Sequence, residues 1–427
     1  MTLNIAIFSI EFPPRIFGGL GSYVINISRE FIKLDNKVIV FTPNEEYKLK
    51  PKEKLNGIKV YRSNAISERD ALDIFLSNET KELWGNGIDF LLSLLSYNHL
   101  SASILINKLI KQKRQSIDIC VGHDWLGLPA LMTVKRETNI PTIYHVHSTE
   151  SGRSLGNINP QVQALELKGA KMADKVITVS YAMRDELILL GFPEDKIEVC
   201  YNGVDAINCF NPSLIDIDRG REIKKQYNIK EGDKVILFIG RLETVKGADK
   251  LVQAMPLILK ENPTAKLILV GKGSKEHEIR SLIEKNGLQN CTFLTTEFLD
   301  HKTKIHYYSI ADVCVFPSLY EPFGIVALEA MAMEKPVVVG ARGTSGLREI
   351  VVTQEKNKNP TGMHINPYSA SDIAWGVNVV LNDRDNAIEL GKNGRKRVLE
   401  NFTWEKVAKQ TLKIYEKTIA FHKSFKT

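Results

Sequence analysis

The feature that most constrains the fold of this 427-residue chain is a series of short, nearly continuous apolar runs that alternate with helical patterns. Runs of this kind are typical of parallel strands, which are buried on both faces of their sheet. We predict ten strands in two blocks, at 4–10, 37–42, 117–122, 141–147 and 175–180, and at 234–240, 265–271, 291–296, 313–318 and 336–341. The alternation therefore predicts the α/β class with two doubly wound domains.

The boundary between the two blocks is predicted in the loop-like segment 202–222, which is rich in Asn, Asp, Gly and Pro. The predicted organisation is an N-terminal domain at 1–205, a C-terminal domain at 206–400 and a final helix at 401–427. The final segment has helical periodicity, with Trp404 near its start.

Composition and charge exclude several classes of function. The apolar content of 43% and charged content of 25% are ordinary for a soluble globular protein. The five cysteines are scattered without a C-x-x-C pair, which predicts reduced thiols, a cytoplasmic location and no metal site. The net charge of +7 comes without a dense basic tract with interleaved aromatics, so nucleic acid is not an expected partner. The oligomeric state is left open.

The longest apolar region, 89–110, is interrupted by Ser, Tyr, Asn and His. It is predicted to be a mostly buried helix and not a bilayer span. The N-terminus lacks the basic region of a signal peptide. The basic cluster at 108–114 is interpreted as favourable charge at a helix end. Membrane contact is compatible with the net charge but not favoured.

Ligands of open α/β sheets bind beyond the carboxyl ends of the strands, so the residues after each strand are informative. After the first strand, Gly18, Gly19 and Gly21 could let a phosphate approach the backbone, or could form a plain turn before a helix. Because the glycines form neither G-x-G-x-x-G nor a Walker A loop, nicotinamide binding and P-loop hydrolysis lose support.

Polar side chains follow two further strands of the first block. His123, Asp124 and Trp125 follow one strand, and His147 follows the next. Two such strand ends indicate a polar pocket, whereas any one histidine alone is more often structural. His145 has the alternate parity within its strand and is interpreted as structural.

The first strand of the second block is followed by Arg241 and Lys246. Converging cations of these two types suit a phosphate or diphosphate, and the alternative is a pair of solvated surface charges. Gly271 and Gly273, after the next strand, could admit a nucleotide base or ribose against the backbone, or could form a simple turn.

The segment "SLYEPFGIVALEAM" (318–331) places two carboxylates around apolar residues. Glu321 lies in the loop after a strand, Gly324 eases the turn into a helix, and Glu329 lies within that helix. A spacing of about two helical turns predicts that both carboxylates lie on the same side. Because a buried carboxylate needs partners, we expect both to accept hydrogen bonds from a polyol ligand.

With these motifs the chain resembles the retaining GT-B glycosyltransferases, most closely the glycogen and starch synthase group and its neighbours in family 4. The resemblance rests on S-x-E-x-P-P with G-G-L (9–20), HDW, RLETVKG and EPFGIVALE, in that order, and runs from the first strand to Trp404. It implies two Rossmann-like domains that face a cleft, with a C-terminal helix that crosses back to the first domain.

The resemblance also implies a retaining transfer of glucose from ADP-glucose or UDP-glucose, without a metal cofactor. Arg241 and Lys246 would hold the donor diphosphate, Glu321 would contact hydroxyls of the transferred sugar, and Glu329 would bind the ribose.

Further contacts are implied on the sugar side. His147 would lie near the reacting carbon, while Asp124 and Gly19 would line the donor or acceptor side. The other expected donor or substrate contacts are Gly18, Gly271, Gly273, Phe323 and Gly324.

Two departures bear on the acceptor. Ile16 stands where the bacterial synthases have a lysine, with Arg15 beside it. Leu126 and Gly127 follow HDW, where the synthase group often has an aromatic residue or a histidine. The segment HVHSTESGR resembles family 4 more than the bacterial synthases. The leading hypothesis is thus a glycogen synthase-like enzyme with a glucan acceptor. The alternatives are a family 4 enzyme with a lipid, small-sugar or surface-polysaccharide acceptor, and a non-catalytic sugar-nucleotide binding protein.

Overall fold

The computed structural model describes residues 2–44, 48–64, 74, 76–297, 299–354 and 359–424. The chain divides into two compact units. Unit 1 takes the described residues within 1–179, 184–200 and 407–427, and unit 2 takes 180–183 and those within 201–406. The short segment 180–183 belongs to unit 2 because the Ser180 hydroxyl donates to the Pro322 carbonyl at 2.6 Å, and the Ala182 amide donates to the Glu349 carboxylate at 2.7 Å.

Unit 1 is built around one sheet. Its strands are β1 (Asn4–Phe8), β2 (Lys37–Pro43), β3 (Lys52–Leu55), β4 (Ile58–Ser63), β5 (Ile119–His123), β6 (Thr142–Val146), β7 (Lys175–Thr178) and β8 (Ile197–Val199). Its helices are α1 (Gly19–Lys33), α2 (Asn78–Trp84), α3 (Ile88–Ser103), α4 (Asp124–Glu137), α5 (Glu150–Arg153) and α6 (Pro160–Met172), and α7 (Tyr181–Leu189) begins in unit 2. Ile104–Gln112 continues α3 as a π-helix.

The described strands of unit 1 run in the order β3-β4-β2-β1-β5-β6-β7-β8. All neighbours are parallel except β3 and β4. Chain order reverses between β1 and β5, so the loops that follow these two strands diverge at the sheet edge. This is the switch point at which ligands bind in doubly wound sheets.

Unit 2 repeats this plan. Its strands are β9 (Lys234–Ile239), β10 (Ala265–Val270), β11 (Thr292–Thr295), β12 (Val313–Phe316), β13 (Val337–Gly340) and β14 (Gly362–Ile365). Its helices are α8 (Ile217–Gln226), α9 (Ala248–Glu261), α10 (Glu276–Lys285), α11 (His301–Ile310), α12 (Ile325–Ala332), α13 (Leu347–Ile350), α14 (Ala370–Asn382) and α15 (Arg384–Asn401). The final helix α16 (Trp404–Ser424) starts in unit 2 and belongs to unit 1 from Val407 onwards.

Among the described residues of unit 2, the strands pair in parallel in the order β11-β10-β9-β12-β13-β14. The switch point lies between β9 and β12. Helices α9 and α14 cover one face of the sheet, and apolar side chains such as Leu251, Met255 and Val377 are fully buried there. Two doubly wound α/β domains are therefore confirmed, and each of the ten predicted strands overlaps an observed one.

The helical stretch Asn78–Gln112 departs from its prediction. By length and composition alone it could cross a membrane, and 44% of its most apolar window is buried. The prediction of a mostly buried helix is therefore wrong, because less than half of this window is buried. Its outward positions include the exposed Phe90 and Leu95 beside polar residues such as Asp89. The exposed basic residues Lys108 and Lys111 come later in the stretch.

Candidate active site

The switch point of unit 2 holds a close ion pair. Lys246 follows β9 and Glu321 follows β12, and the lysine Nζ lies 2.5 Å from a Glu321 carboxylate oxygen. The same oxygen accepts a bond from the Ser318 hydroxyl at 3.3 Å. Both side chains are largely buried, with 19% of the lysine and 10% of the glutamate side chain exposed. The pair thus concentrates charge where the fold predicts a ligand.

Backbone contacts fix this pair. The Leu319 amide donates to the Val245 carbonyl at 2.8 Å, which joins the loop after β12 to the loop after β9. The Glu321 backbone amide donates to the Thr344 carbonyl at 3.2 Å, and the Glu321 carbonyl accepts from the Gly346 amide at 2.9 Å. Both main-chain groups of Glu321 are therefore held by the loop after β13, and its carboxylate is preorganised.

Gly247 permits the close approach of the two loops. Its φ is +68°, and a Cβ there would lie 2.1 Å from the Pro317 carbonyl oxygen. Only glycine fits both the left-handed backbone and that separation. The glycine at the end of RLETVKG thus keeps Lys246 against the strand edge.

Arg241 is the cation beside this pair that is available to a ligand. Its side chain is exposed, and within the described ranges no hydrogen bond or ion pair to it is found. Lys272, after β10, is likewise exposed and was not singled out from the sequence. The edge of the sheet at β9 and β10 therefore offers positive charge to an anion.

Gly271 and Gly273 have a structural role in addition to any ligand contact. A Cβ on Gly271, whose φ is +155°, would lie 1.8 Å from the Gly240 carbonyl oxygen. A Cβ on Gly273 would lie 2.4 Å from the Leu242 carbonyl oxygen. These glycines let the loops after β9 and β10 pack backbone to backbone, and this packing fixes the loop that carries Arg241.

Glu329 lies in α12, is buried, and has partners of its own. The Tyr308 hydroxyl donates to its carboxylate at 2.9 Å, and the Lys304 Nζ lies 3.2 Å away. Burial raises the pKa of Tyr308 well above its usual value, and the Glu329 charge raises it further, so the phenol stays protonated as a donor.

Helical spacing does not relate the two carboxylates, contrary to the prediction. Glu321 precedes the helix, which begins only at Ile325, so a helical period does not connect it to Glu329. Each carboxylate is instead neutralised by its own lysine. These buried charges thus have partners within the protein, and the expected hydrogen bonds to a polyol ligand stay a prediction.

Phe323 and Gly324 shape the turn into α12. The Phe323 ring is buried and lies 5.9 Å from Tyr201 and 6.1 Å from Phe402, so the side chain is part of the core of unit 2. Gly324 has a φ of +112°, and a Cβ there would meet Leu347 at 2.4 Å. Both residues therefore position the loop that bears Glu321.

In unit 1 the glycine loop already has an anion. One carboxylate oxygen of Glu11 accepts bonds from the amides of Phe17, Gly18 and Gly21 at 3.0 to 3.1 Å. The interpretation of these amides as a phosphate cradle is corrected, because the Glu11 carboxylate occupies them. Gly19 is the first residue of α1.

Asp124 links the ends of β5 and β6. It is buried, and its carboxylate accepts from the amides of His147 at 2.7 Å and Ser148 at 3.3 Å. Its φ of +50° is unusual for a residue other than glycine. The aspartate of HDW therefore positions the backbone of His147.

Three histidine rings stack at this edge. The His123 Nδ1 lies 2.9 Å from the His147 Nε2, and the rings of His145 and His147 are 4.4 Å apart and nearly parallel. The Tyr23 ring contacts all three. His145, which its strand parity predicts to be structural, is buried against His147, and neither of its ring nitrogens has a hydrogen-bond partner among the described residues.

Burial keeps this stack uncharged. It lowers the pKa of His123 and His145 well below the usual value, and their histidine neighbours lower it further. Burial also lowers the pKa of His147, against the opposite effect of Asp124. Neutral imidazoles at neutral pH can donate and accept hydrogen bonds without adding positive charge.

The ring nitrogens of these histidines are close enough to raise the question of a metal, since they lie within 4.8 Å of one another. A ligating imidazole places the ion in the plane of its ring. The planes of His145 and His147 differ by only 7° at a centroid separation of 4.4 Å, so one ion cannot lie in both. The arrangement is that of a stack.

Sequence reasoning missed four residues that the structure brings to these sites: Glu11, Lys272, Lys304 and Tyr308. Glu11 lies within the quoted S-x-E-x-P-P pattern, so the signal was present. Lys272 lies between Gly271 and Gly273 and was equally visible. Lys304 and Tyr308 share a face of α11 at a spacing of four, but only the packing of α11 against α12 gives that face a meaning.

Comparison with known protein families places both units. The model of glycosyl transferases group 1 matches residues 220–397, and that of glycosyltransferase family 4 matches residues 17–207. An uncharacterised glycosyltransferase of Methanocaldococcus jannaschii is 33% identical over 97% of this chain and 98% of its own length. A glycogen synthase of Mycobacterium tuberculosis is 28% identical over 97% and 94%. An alpha-maltose-1-phosphate synthase of Mycolicibacterium smegmatis is 26% identical over 98% and 100%.

Solved structures share the fold over nearly the full length. The sucrose-phosphate synthase of Thermosynechococcus elongatus has a TM-score of 0.77 at 24% identity and covers 98% of this chain and 99% of its own. The catalytic domain of starch synthase IV from Arabidopsis thaliana, bound to ADP and acarbose, has a TM-score of 0.74 at 15% identity over 98% and 100%.

Proposed function

Because the chain belongs to the GT-B glycosyltransferases of the glycogen and starch synthase kind, we propose that it transfers glucose from ADP-glucose or UDP-glucose to an α-glucan, with retention of configuration. The observation that carries the proposal is the Lys246–Glu321 pair at the switch point of unit 2, beside the exposed Arg241. A diphosphate needs fixed cations, and a hexose needs a fixed hydrogen-bond acceptor. This edge supplies both.

In the proposed reaction, Arg241 and Lys246 bind the donor diphosphate. Negative charge grows on the leaving phosphate as the sugar carbon becomes oxocarbenium-like. Cations that are already in place stabilise that charge without reorganisation, and this is often the largest catalytic term. Glu321, whose backbone is held on both sides, accepts hydrogen bonds from the hydroxyls of the transferred glucose.

Glu329 is proposed to bind the ribose hydroxyls. Tyr308 and Lys304 fix its carboxylate and partly neutralise it, so a neutral ribose can approach without leaving an unpaired buried charge. In unit 1, His147 is proposed to contact the transferred sugar as a neutral imidazole. His123 and Asp124 orient its ring and its backbone.

A second candidate is transfer to a sugar phosphate. The full-length similarity to an alpha-maltose-1-phosphate synthase favours it. The exposed Lys272, which the donor diphosphate does not require, would suit a second phosphate. A lipid acceptor is less favoured, because the exposed basic residues Lys108 and Lys111 come after the exposed apolar Phe90 and Leu95 and do not alternate with them.

We further propose a cytoplasmic location and a reaction without a metal cofactor. The cysteines carry free thiols, which suits a reducing compartment. The cation role at the diphosphate falls to the arginine and the lysine at the strand ends.

The test is release of nucleoside diphosphate by the purified protein from ADP-glucose and from UDP-glucose, with glycogen, with glucose 1-phosphate, and with neither. Strong stimulation by glycogen with an α-configured product supports the glucan synthase. Stimulation by glucose 1-phosphate alone moves the acceptor to a sugar phosphate. Absence of turnover with every combination contradicts both.

A further inference from the structure

A half-exposed tryptophan separates two grooves on unit 2. Trp375 lies in α14, and 50% of it is exposed. The first groove, of about 330 Å³, runs between α9 and α14, and the second, of about 370 Å³, lies at the start of α14. Both volumes are at the low end of the range for ligand sites. Trp375 lines both grooves, so its indole is accessible from each.

Helical spacing produces the first groove. Ser371, Trp375, Asn378 and Asn382 recur every three or four residues and face the C-terminal end of α9. The opposing wall carries Lys260 and Glu261. Leu257, Ala374 and Val379 complete the lining. The groove therefore combines an aromatic and apolar surface with amide and hydroxyl groups, and its two charges cancel.

The second groove is polar and equally balanced in charge. It is lined by Arg342 from the loop after β13, Asn366 from the loop after β14, and Ser369, Ser371, Asp372 and Trp375 from the start of α14. The Asp372 carboxylate accepts from the Asn366 backbone amide at 2.5 Å, which fixes the loop after β14 against the helix. The Arg342 side chain is exposed, and the described residues provide it with no hydrogen-bond partner.

This chemistry selects one kind of ligand. An aromatic face bordered by hydroxyl and amide groups and by charged groups of both signs matches a sugar ring, which has an apolar face and a rim of hydroxyls. The cancelling charges disfavour an anionic ligand such as a nucleotide or nucleic acid. Two grooves on either side of one ring fit a chain of sugars better than a single sugar.

We propose that Trp375 is the stacking platform of a surface binding site for a neutral α-glucan chain, separate from the site at Lys246 and Glu321. This inference rests on the proposed glucan acceptor. The loop that carries Arg342 also holds Glu321 through Thr344 and Gly346, so the two sites share an edge of the same sheet. A polymer held there raises the local concentration of acceptor ends.

A neighbouring residue provides the matched control. Ile388 in α15 is 46% exposed, close to the exposure of Trp375, but it lines neither groove. Single exposed apolar residues are common and need no function. The grooves, and not the exposure, therefore distinguish Trp375.

The experiment compares the wild type with Trp375→Ala, Trp375→Phe and Ile388→Ala. Migration in native gels that contain glycogen gives the dissociation constant, and initial rates are measured with glycogen and with maltotriose. We expect Trp375→Ala to weaken glycogen binding by about tenfold or more, as is typical for an aromatic residue that carries an interface. Trp375→Phe retains most of the binding, and Ile388→Ala behaves as wild type.

Kinetics separate this site from the catalytic one. Trp375→Ala should raise KM for glycogen with kcat unchanged, while the rates with maltotriose stay at the wild-type level. Unchanged glycogen binding and KM in Trp375→Ala overturn the surface site and leave the glucan synthase intact. If the wild-type protein turns over donor but glycogen does not retard it in the gel, the surface site is overturned as well. The proposed glucan acceptor is tested separately, and it is contradicted if glycogen does not raise the rate of donor turnover.

Discussion

A double-mutant cycle can separate the structural role of the Lys246–Glu321 pair from its proposed catalytic role. Lys246→Met and Glu321→Gln keep the approximate side-chain volumes but each remove one charge. In the native pair the Nζ lies 2.5 Å from the carboxylate, with 19% and 10% of the side chains exposed. Either single variant leaves a largely buried charge with little compensation, since within the described part of the chain the Ser318 hydroxyl at 3.3 Å is the remaining side-chain contact of that carboxylate oxygen.

The magnitudes follow from this geometry. Removal of one partner from a fully buried pair costs about 3 to 5 kcal/mol, and the residual exposure lowers our expectation to about 2 kcal/mol. For domains of about 150 to 250 residues this corresponds to a Tm lower by about 4 to 8 °C. The double variant leaves no unpaired charge, so we expect it to recover part of that loss.

The double variant is expected to recover stability in part but not kcat. Loss of a fixed charge at the reacting centre costs about 10² to 10³ in kcat. Since both charges are proposed to act on the transition state, the double variant should be no faster than the slower single variant. Thermal unfolding and nucleoside diphosphate release are measured on the same four proteins. Recovery of kcat together with Tm in the double variant, or kcat within threefold of wild type for Lys246→Met, refutes the catalytic assignment.

Three further predictions concern the surroundings of these sites. Gly324→Ala should lower both Tm and kcat strongly, because φ is +112° there and a Cβ would lie 2.4 Å from a leucine side chain. The control Gly343→Ala, with a φ of +61° and its nearest neighbour at 3.8 Å, should cost only about 1 to 2 kcal/mol of strain. Equal effects of the two substitutions on Tm would contradict the steric explanation. Tyr308→Phe removes the 2.9 Å bond to Glu329 and should raise KM for the donor by about three- to tenfold with a smaller change in kcat, and an unchanged donor KM would argue against ribose binding at that carboxylate. Because burial lowers the pKa of His145, the folded state binds fewer protons than the unfolded state below about pH 6.5. Stability therefore falls as pH falls through that range, by up to about 1.4 kcal/mol per pH unit for this group. His145→Phe should show a shallower fall of Tm than the wild type between pH 7.5 and 5.5, and an identical slope would count against a neutral buried imidazole.

The sequence was sufficient for the sheets because their central strands are apolar on both faces. The strands it missed include β3 (Lys52–Leu55), β8 (Ile197–Val199) and β14 (Gly362–Ile365), which lie at sheet edges and are three or four residues long. The longer β4 (Ile58–Ser63) carries a lysine and an arginine and was also missed. Edge strands have one neighbour and can be polar, so apolar runs do not identify them.

The positions of the candidate site residues could be predicted from the sequence, but the contacts among their side chains could not. Strand ends located Lys246, Glu321 and His147, because a doubly wound sheet fixes where its loops emerge. The sequence could not show that Glu11 occupies the amides of the glycine loop, nor that Tyr308 and not Glu321 is the neighbour of Glu329. Those contacts depend on packing between elements distant in sequence, and local periodicity carries no information about it.

The return of the final helix to unit 1 has a consequence for synthesis on the ribosome. Tyr415 in α16 packs its ring 5.8 Å from Phe31, and the Thr411 hydroxyl lies 3.3 Å from the Cys200 thiol. Unit 1 therefore lacks part of its core until the residues of α16 from Val407 onwards have been translated, whereas the sequence of unit 2 is finished by residue 406. The unit whose synthesis begins first is the one completed last. A released chain truncated after residue 406 should protect unit 2 from protease while unit 1 remains the more readily cleaved.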